Sequence, residues 1–542
     1  MTLAKTNYRA DIDGLRALAA LSVLLFHFKV PFFEGGYVGV DIFLVISGYL
    51  IYGTSLSKVA DLAGIANFFR RRIARIFPAL ILVIVATLLG TRLVIPARKV
   101  GDTYEAALAG LGFFANHYFA ATTDYFTTAT TSPFIHLWSI SLEEQFYLIF
   151  PFVLLAASRW RLQAMLALLI FSLGASLVYE NTSAVYYLLP FRIWEFCLGA
   201  AMIHMRPPTS AKFAELSAAT GLALIGSGLW LASALWKFDH ILPAAGTALV
   251  LSSGLISNAV SERIGNSLFA KIGQASYSIY LLHWPLWILF FVRASRAPSP
   301  LETVLLIVLT LGLAMVTFRF IERPALRTIR AASMKRTFLF ALVALISCAG
   351  MALSLDHELK NSLLPRITES PLGKAIAEAK DQKVYDHAYR RRTCQLQDDQ
   401  TPEELDTATC ASKVDGRKTV LLWGDSYAAH LLPGFEASEN EVWHFALASA
   451  ASCPPVFNRK DRRCFEFHRY VVEKILPVLK PDIVILAGDW AKANSASEVE
   501  LGLAETMKHL GSSKVLVVGQ GPRFSMPVAF CESHMARGQS RV

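Results

Sequence analysis

Arg16 and His27 are separated by ten residues in DIDGLRALAALSVLLFH, the first apolar stretch of the chain. Eleven steps of ~100° make three helical turns plus ~20°, so on one helix both side chains face the same way, ~16 Å apart along the axis. Ionisable groups inside hydrocarbon are costly, and a cation and an imidazole sharing one face suggest a polar cavity through much of the bilayer. The structural alternative is an Arg snorkelling at one end and a capped His at the other. Asp41 lies in GGYVGVDIFLVISGYLI, where Gly35, Gly36 and Gly39 permit close helix approach. His136, Glu143 and Glu144 lie in SPFIHLWSISLEEQFYLIFP, and the two carboxylates are placed at the outer mouth of the span. Adjacent residues point ~100° apart, so at most one of the two faces a given site squarely. Carboxylates at such a place also complement a helix N-terminus. Arg192 and Glu195, three residues apart in FRIWEF, can pair. His283 in SYSIYLLHWPLW and Glu322 in FRFIERP complete the set. Imidazole moves protons near neutral pH. Converging His and carboxylate side chains serve either proton relay or acyl transfer, and periodicity does not distinguish the two.

The elements that must position these residues follow from composition. The chain has 542 residues, 54% hydrophobic and 17% charged, with a net charge of +10 and a mean hydropathy of +0.42. A soluble globular protein carries ~25% charged residues, so a wholly soluble enzyme is excluded, as are disorder, collagen and a coiled coil. Lys and Arg cluster between apolar blocks, which marks cytoplasmic loops rather than nucleic-acid binding. Blocks near 14–30, 38–55, 77–95, 106–121, 143–158, 162–179, 187–204, 216–235, 242–259, 274–293, 301–321 and 337–355 approach the length of a span. Lys5 and Arg9, then Lys58 with Arg70, Arg71, Arg72 and Arg75, then Arg159 and Arg161, Arg206 and Lys212, Arg263 and Lys271, and finally the stretch from Arg323 to Arg336 all fall inside if 106–121 does not cross. That block is short and holds Asn116 and His117, so it is read as re-entrant or interfacial. About 11 spans then leave the N-terminus cytoplasmic and residues after 355 outside. The first block has no small-residue cleavage site, so no cleavable signal is expected.

After residue 356 the sequence becomes polar, with strand-like runs at 419–423, 483–487 and 514–518 and a helix-like segment at 466–479. Strands alternating with helices predict an α/β domain with a parallel sheet. Cys394, Cys410, Cys453, Cys464 and Cys531 all lie here, whereas Cys197 and Cys348 lie in spans as packing residues. Thiols outside the cytoplasm pair. Sequence proximity favours Cys394–Cys410 and Cys453–Cys464 and leaves Cys531 over, although connectivity stays open from sequence alone.

The membrane part resembles the acyltransferase-3 family of membrane O-acyltransferases. An Arg, ten residues and a His in the first span is a hallmark of that family. GGYVGVDIFLVISGYLI, FFRRRIARIFPAL, HLWSISLEEQFY, FRIWEFCLG and SYSIYLLHWPL follow in the family's order, over roughly residues 8–330. The resemblance implies transfer of an acyl group, usually acetyl, from cytoplasmic acyl-CoA to an extracytoplasmic carbohydrate. It makes His27 the general base at the acceptor hydroxyl or a transient acyl carrier, and Arg16 a stabiliser of the thioester end. Arg72 and Arg75 would meet the phosphates of acyl-CoA, or else mark topology alone. Glu143 and Glu144 would orient a His or the sugar. Asp41, His136, Arg192 and His283 are counted with the substrate-binding residues. No metal is implied. A sugar hydroxyl needs a base as it attacks, and the thioester oxyanion needs stabilisation.

GDSYAAH, residues 424–430, follows a strand and resembles the first block of the SGNH hydrolases, whose Ser would here be Ser426. ASCPP around Cys453 and VILAGDW at 484–490 look like the domains often fused to acyltransferase-3 proteins. Two features depart from the pattern. No Asp-x-x-His follows Ser426, and no clear Gly-x-Asn-Asp supplies an oxyanion Asn, for which Asn494 is a weak stand-in. His430, four residues on, can approach Ser426, but the resemblance gives it no such role. The outer domain is therefore expected to be impaired as a standalone esterase, or the chain to be a truncated form.

The expected organisation is a membrane domain at 1–336, a linking transmembrane helix at 337–355, a periplasmic lead-in at 356–418 and an SGNH-like domain at 419–542. The expected location is a bacterial inner membrane, with the C-terminal domain periplasmic. The partners are acyl-CoA, a glycan and the bilayer, with no nucleic acid. Two rivals are a proton-coupled transporter of a glycan precursor, which calls for inverted repeats that are not evident, and a periplasmic esterase on a membrane anchor.

Overall fold

The computed structural model describes residues 8–54, 61–94, 97–123, 132–235, 239–294, 296–358, 386–457, 461–490 and 496–519. Asn494 and Cys531 lie outside the described residues. The chain divides into two compact units, the first reaching to Leu364 and the second spanning Pro365–Ser525.

The first unit is helical. Six of its helices carry the polar residues: α1 (Ala10–His27), α2 (Gly39–Thr54), α3 (Leu62–Val94), α4 (Leu137–Ala157), α5 (Ile193–Ala201) and α6 (Ser276–Ala294). Among the described residues, seven helices are long and apolar enough to cross a membrane, and an eighth candidate is Ser267–Gln274 with Ser276–Ala294, bent by 65°. Two shorter apolar helices, Ile193–His204 and Ile241–Ser253, fall below that length. The apolar length of Pro300–Thr317 is turned outward at Val304, Leu305, Val308 and Leu309, as in a helix bathed in lipid. No single helix covers 106–121. Helices Ala97–Leu111 and Ala115–Thr122 are broken at Gly112–Phe114, where Phe113 takes φ 57°.

Small residues bring the helices together. A Cβ on Gly36 would sit 2.2 Å from Ser22 O and one on Gly39 2.6 Å from Ala19 O, so the glycines before and within α2 let it lie against α1. Gly48 and Gly199 do the same between α2 and α5, where a Cβ on either would lie 1.9 Å from a backbone oxygen of the other helix. Ile12, Leu15 and Ala19 of α1 form one core with Ile42, Val45 and Ile46 of α2 and with Trp194.

The second unit holds five strands, β1 (Gln395–Leu396), β2 (Lys418–Gly424), β3 (Trp443–Ala450), β4 (Ile483–Ala487) and β5 (Lys514–Val517), in one parallel sheet ordered β1-β3-β2-β4-β5. Three expected strands are present. β3 and the two-residue β1 add to them. Leu421 and Trp423 enter one apolar cluster with Phe467 and Val471, while Val420 and Leu422 enter another with Ala428 and Leu432. Both faces are thus covered, which is why TVLLW reads as an unbroken apolar run rather than an alternation. Two helices supply the cover, α7 (Ser426–Glu436) and α8 (Arg462–Tyr470), the latter continuing to Leu479. Both favoured disulfides are formed, Cys394–Cys410 and Cys453–Cys464, while Cys197 and Cys348 are free and buried.

Candidate functional site

Among the described residues of the first unit, most of the candidate site residues fall into three groups. The first surrounds a cavity of about 230 Å³ lined by Arg16 of α1, Arg72 and Arg75 of α3, Glu143 and Glu144 of α4, and Tyr280 of α6. Tyr147, one turn beyond Glu143, donates its hydroxyl to that carboxylate at 2.7 Å. The Arg72 guanidinium lies 5.4 Å from the centre of the Tyr147 ring, within cation–π range. Three guanidinium groups face two carboxylates, so the fully ionised cavity carries one surplus positive charge and favours an anionic or polarised ligand. The placement of Glu143 and Glu144 at an outer mouth is corrected here. The helix begins at Leu137, so both carboxylates sit about two turns inside it, beside the arginines of α3. Both line the cavity, where the spacing allowed one to face it squarely.

The second group is built of rings. His27, at the end of α1, is buried with its Nδ1 2.8 Å from Nε2 of His283. The ring of His136 lies 5.8 Å from that of His283, and Trp284 packs 4.7 Å from His27. Tyr280 belongs to both groups. Its ring packs against His136 and His283, and its hydroxyl bonds Ser139 at 2.6 Å and the His136 carbonyl at 3.0 Å. Ser139 also lines the cavity. Arg16 and His27 therefore do not share one open cavity: Arg16 lines it, and His27 sits among the histidines beyond Tyr280. Ser139 and Tyr280 escaped the sequence reading. Their signal was a hydroxyl in an apolar run, three residues after His136 in one case and three residues before His283 in the other.

Asp41 and Arg192 belong to a third group. The Arg192 guanidinium bonds Asp41 directly and lies 3.5 Å from Glu195, the pairing expected from the three-residue spacing. His240 contacts the second Asp41 oxygen at 3.1 Å, and Tyr37 bonds Asp239. All three carboxylates are buried. These residues tie α2, α5 and the start of the Ile241–Ser253 helix together, and they do not line the arginine cavity. Glu322 accepts a hydrogen bond from Ser278 of α6.

In the second unit, Ser426 opens α7 at the carboxyl end of β2, where the chain leaves β2 for β3 on one side and later returns to β4 on the other. Such switch points form crevices in open α/β sheets. A Cβ on Gly424 would lie 1.7 Å from Ala487 O, so only glycine lets the turn pass β4. Asp425 fixes the turn. One carboxylate oxygen accepts the Tyr427 amide at 2.9 Å and the other the Asp489 amide at 2.8 Å, while its carbonyl accepts from Ser449 Oγ at 2.8 Å. Among the described residues none bonds Ser426 Oγ. His430 packs against Tyr389, with ring centres 4.4 Å apart, and interacts with the Ser426 main chain. Desolvation lowers its pKa below the ordinary imidazole value, with Asp425 opposing.

Comparison with known proteins agrees with this two-part picture. No solved structure matches. O-acetyltransferase OatA of Staphylococcus aureus is 30% identical over 349 residues, which cover 59% of this chain and 57% of that protein. The chain thus spans little more than half the length of this relative. A protein named "Putative membrane-bound transacylase BcsY", from Komagataeibacter xylinus, is 29% identical over 371 residues, covering 65% of this chain and 92% of BcsY. Residues 393–541 match the SGNH domain that is fused to acyltransferase-3 domains, and residues 9–319 match the acyltransferase domain. The apolar helices, the cationic cavity and its neighbouring histidines thus belong to a membrane protein of the acyltransferase-3 family.

Proposed function

We propose that the chain is an O-acyltransferase of a bacterial inner membrane, moving an acetyl group from cytoplasmic acyl-CoA to a hydroxyl of an extracytoplasmic glycan such as O-antigen, capsule or exopolysaccharide. The observation that carries this reading is the adjacency of the arginine-lined cavity and the histidine group, joined at Tyr280. At about 230 Å³ the cavity suits the narrow thioester arm of a donor, since whole drug-sized ligands need ~300–1,000 Å³. Arg16, which lines the cavity on the far side of Tyr280 from His27, would together with Arg72 and Arg75 hold the polar and anionic groups of the donor. Glu143 and Glu144 would orient these cations. His27 would take the proton of the attacking hydroxyl. Eleven crossings follow if α1, the bent pair and the two short apolar helices also span, with the N-terminus inside and the second unit outside. The extent of the BcsY match, nearly all of that protein, supports a membrane part that carries the chemistry itself. The second unit would then receive or position the glycan.

The test compares base-labile O-acetyl esters on surface glycans from cells lacking the gene or expressing wild type, His27→Ala or Ser426→Ala. Ester should appear with wild type and fall by at least ~100-fold with His27→Ala. Ester content that is the same with and without the gene would sink the reading. Ser426→Ala then separates chemistry from positioning in the second unit.

A further inference from the structure

The two hydrogen bonds of His283 fix the tautomers of both rings. Its Nδ1 lies 2.7 Å from the main-chain oxygen of Tyr280. A carbonyl only accepts, so this nitrogen carries the proton. In a neutral ring the other nitrogen is then an acceptor, and Nε2 of His283 faces Nδ1 of His27 at 2.8 Å. Nδ1 of His27 must therefore be the donor, and the lone pair of His27 falls on Nε2. The reverse polarity would need protons on both nitrogens of His283. That would place an imidazolium in a ring cluster buried in the apolar unit, at the full cost of an uncompensated charge. Both ring nitrogens of His283 are thus engaged, by Tyr280 O and by His27, which leaves it none for substrate.

We infer that His283 is a positioning residue that sets the tautomer of His27 and so makes His27 Nε2 the proton-accepting atom. The inference rests on the reading of His27 as the base. In the step it serves, the acceptor oxygen bonds the acyl carbon as its proton passes to His27 Nε2. The carbon–sulfur bond breaks, and that proton leaves with the CoA thiol. While His27 holds the proton, its Nδ1–H bond to His283 becomes charge-assisted and stronger. The contact therefore gains strength as the transition state forms, which raises kcat rather than donor binding. The arrangement resembles the aspartate–histidine part of a catalytic triad, with a neutral ring and a backbone carbonyl in place of the carboxylate. Trp284 and Tyr280, packed on the two histidines, hold the ring planes.

The experiment uses membranes carrying the full chain, radiolabelled acetyl-CoA and the membranes' own glycans, and counts base-labile label. His283→Phe keeps an aromatic ring and removes the acceptor. We expect kcat to fall about 100-fold while KM for acetyl-CoA stays within about twofold, a step smaller than loss of the base itself. His283→Gln restores an acceptor oxygen and should recover at least about a tenth of wild-type kcat. Equal losses in Phe and Gln variants of wild-type abundance would overturn the inference, because the role would then be packing. So would wild-type kcat in His283→Phe beside an inactive His27→Ala. Activity retained in His27→Ala would overturn the base reading itself, and the inference with it. If the Phe variant does not accumulate, Gln against the shorter Asn makes the same comparison, with Gln expected to be the more active.

Discussion

The two units fix their chemistry-bearing side chains by opposite means. In the helical unit an imidazole is fixed by a second ring, and polar groups for a polarised ligand lie beside it. In the α/β unit a serine is fixed on a tight turn by Asp425, and no described side chain bonds its hydroxyl. The difference follows from solvent. Inside hydrocarbon no water is at hand to hold a polar group, and the His27 ring is oriented by a chain of hydrogen bonds that runs through His283 to the Tyr280 carbonyl. At the end of a sheet, main-chain amides and an N-cap carboxylate hold a turn, and water serves whatever remains. One unit therefore depends on buried polar pairs and the other on local backbone geometry and cross-links.

The largest stability effect expected from this contrast is at Asp41. Asp41→Ala leaves Arg192 buried with Glu195, 3.5 Å away, as its remaining carboxylate partner among the described residues. Removing one partner of a buried pair costs about 3–5 kcal/mol. Thermal unfolding of the detergent-solubilised full chain should show the first unit yielding early, with the second unchanged by limited proteolysis. An Asp41→Ala protein as stable as wild type would mean that this group, unlike the histidines, is held together by the packing around it.

Reduction should act the other way. Cys394–Cys410 and Cys453–Cys464 close loops of 16 and 11 residues, each worth about 3 kcal/mol by the chain-entropy relation. The first unit's Cys197 and Cys348 are free. A reductant, or Cys453→Ser with Cys464→Ser, should lower the melting point of the second unit and spare the first. Equal loss in both units would break the contrast.

These contrasts were only partly legible in the sequence. The inward faces of Arg16 and His27 follow from helical period, and the Arg192–Glu195 pair from its spacing. Asp41, brought to Arg192 by Gly48 and Gly199, needed tertiary contact. Glu143 was placed too far out because hydropathy begins the apolar run near 143, whereas the helix starts at Leu137 with Trp138 and Ser139 already buried. The strand WHFALASA escaped because Ala, Ser and His carry little β propensity. Its partners β1 and β2 supply the hydrogen bonds, and the small side chains suit a strand buried between two covered faces. Tyr280 was passed over as a site residue because a tyrosine in an apolar run carries no period of its own, and only its place three residues before His283 marked it.

The smallest effect sharpens the comparison most, because the second unit also contains a doubly bonded buried histidine. Trp423 Nε1–H donates to His468 Nδ1 at 3.2 Å, and His468 Nε2 meets Pro454 O at 2.9 Å. The indole nitrogen only donates and the carbonyl only accepts, so this ring is neutral with its proton on Nε2. It has the same donor–acceptor logic as His283, but the group on its accepting nitrogen is an indole N–H, which does not titrate, in place of a second imidazole. It therefore serves the core, linking β2 to α8 and to the chain after β3. His468→Leu should leave the Trp423 N–H buried without its acceptor and cost about 1–3 kcal/mol, read as an earlier melt of the second unit. O-acetylation per folded molecule should not change. If His468→Leu lowered transfer without lowering stability, the division between an imidazole that moves protons and one that only fills hydrogen bonds would fail.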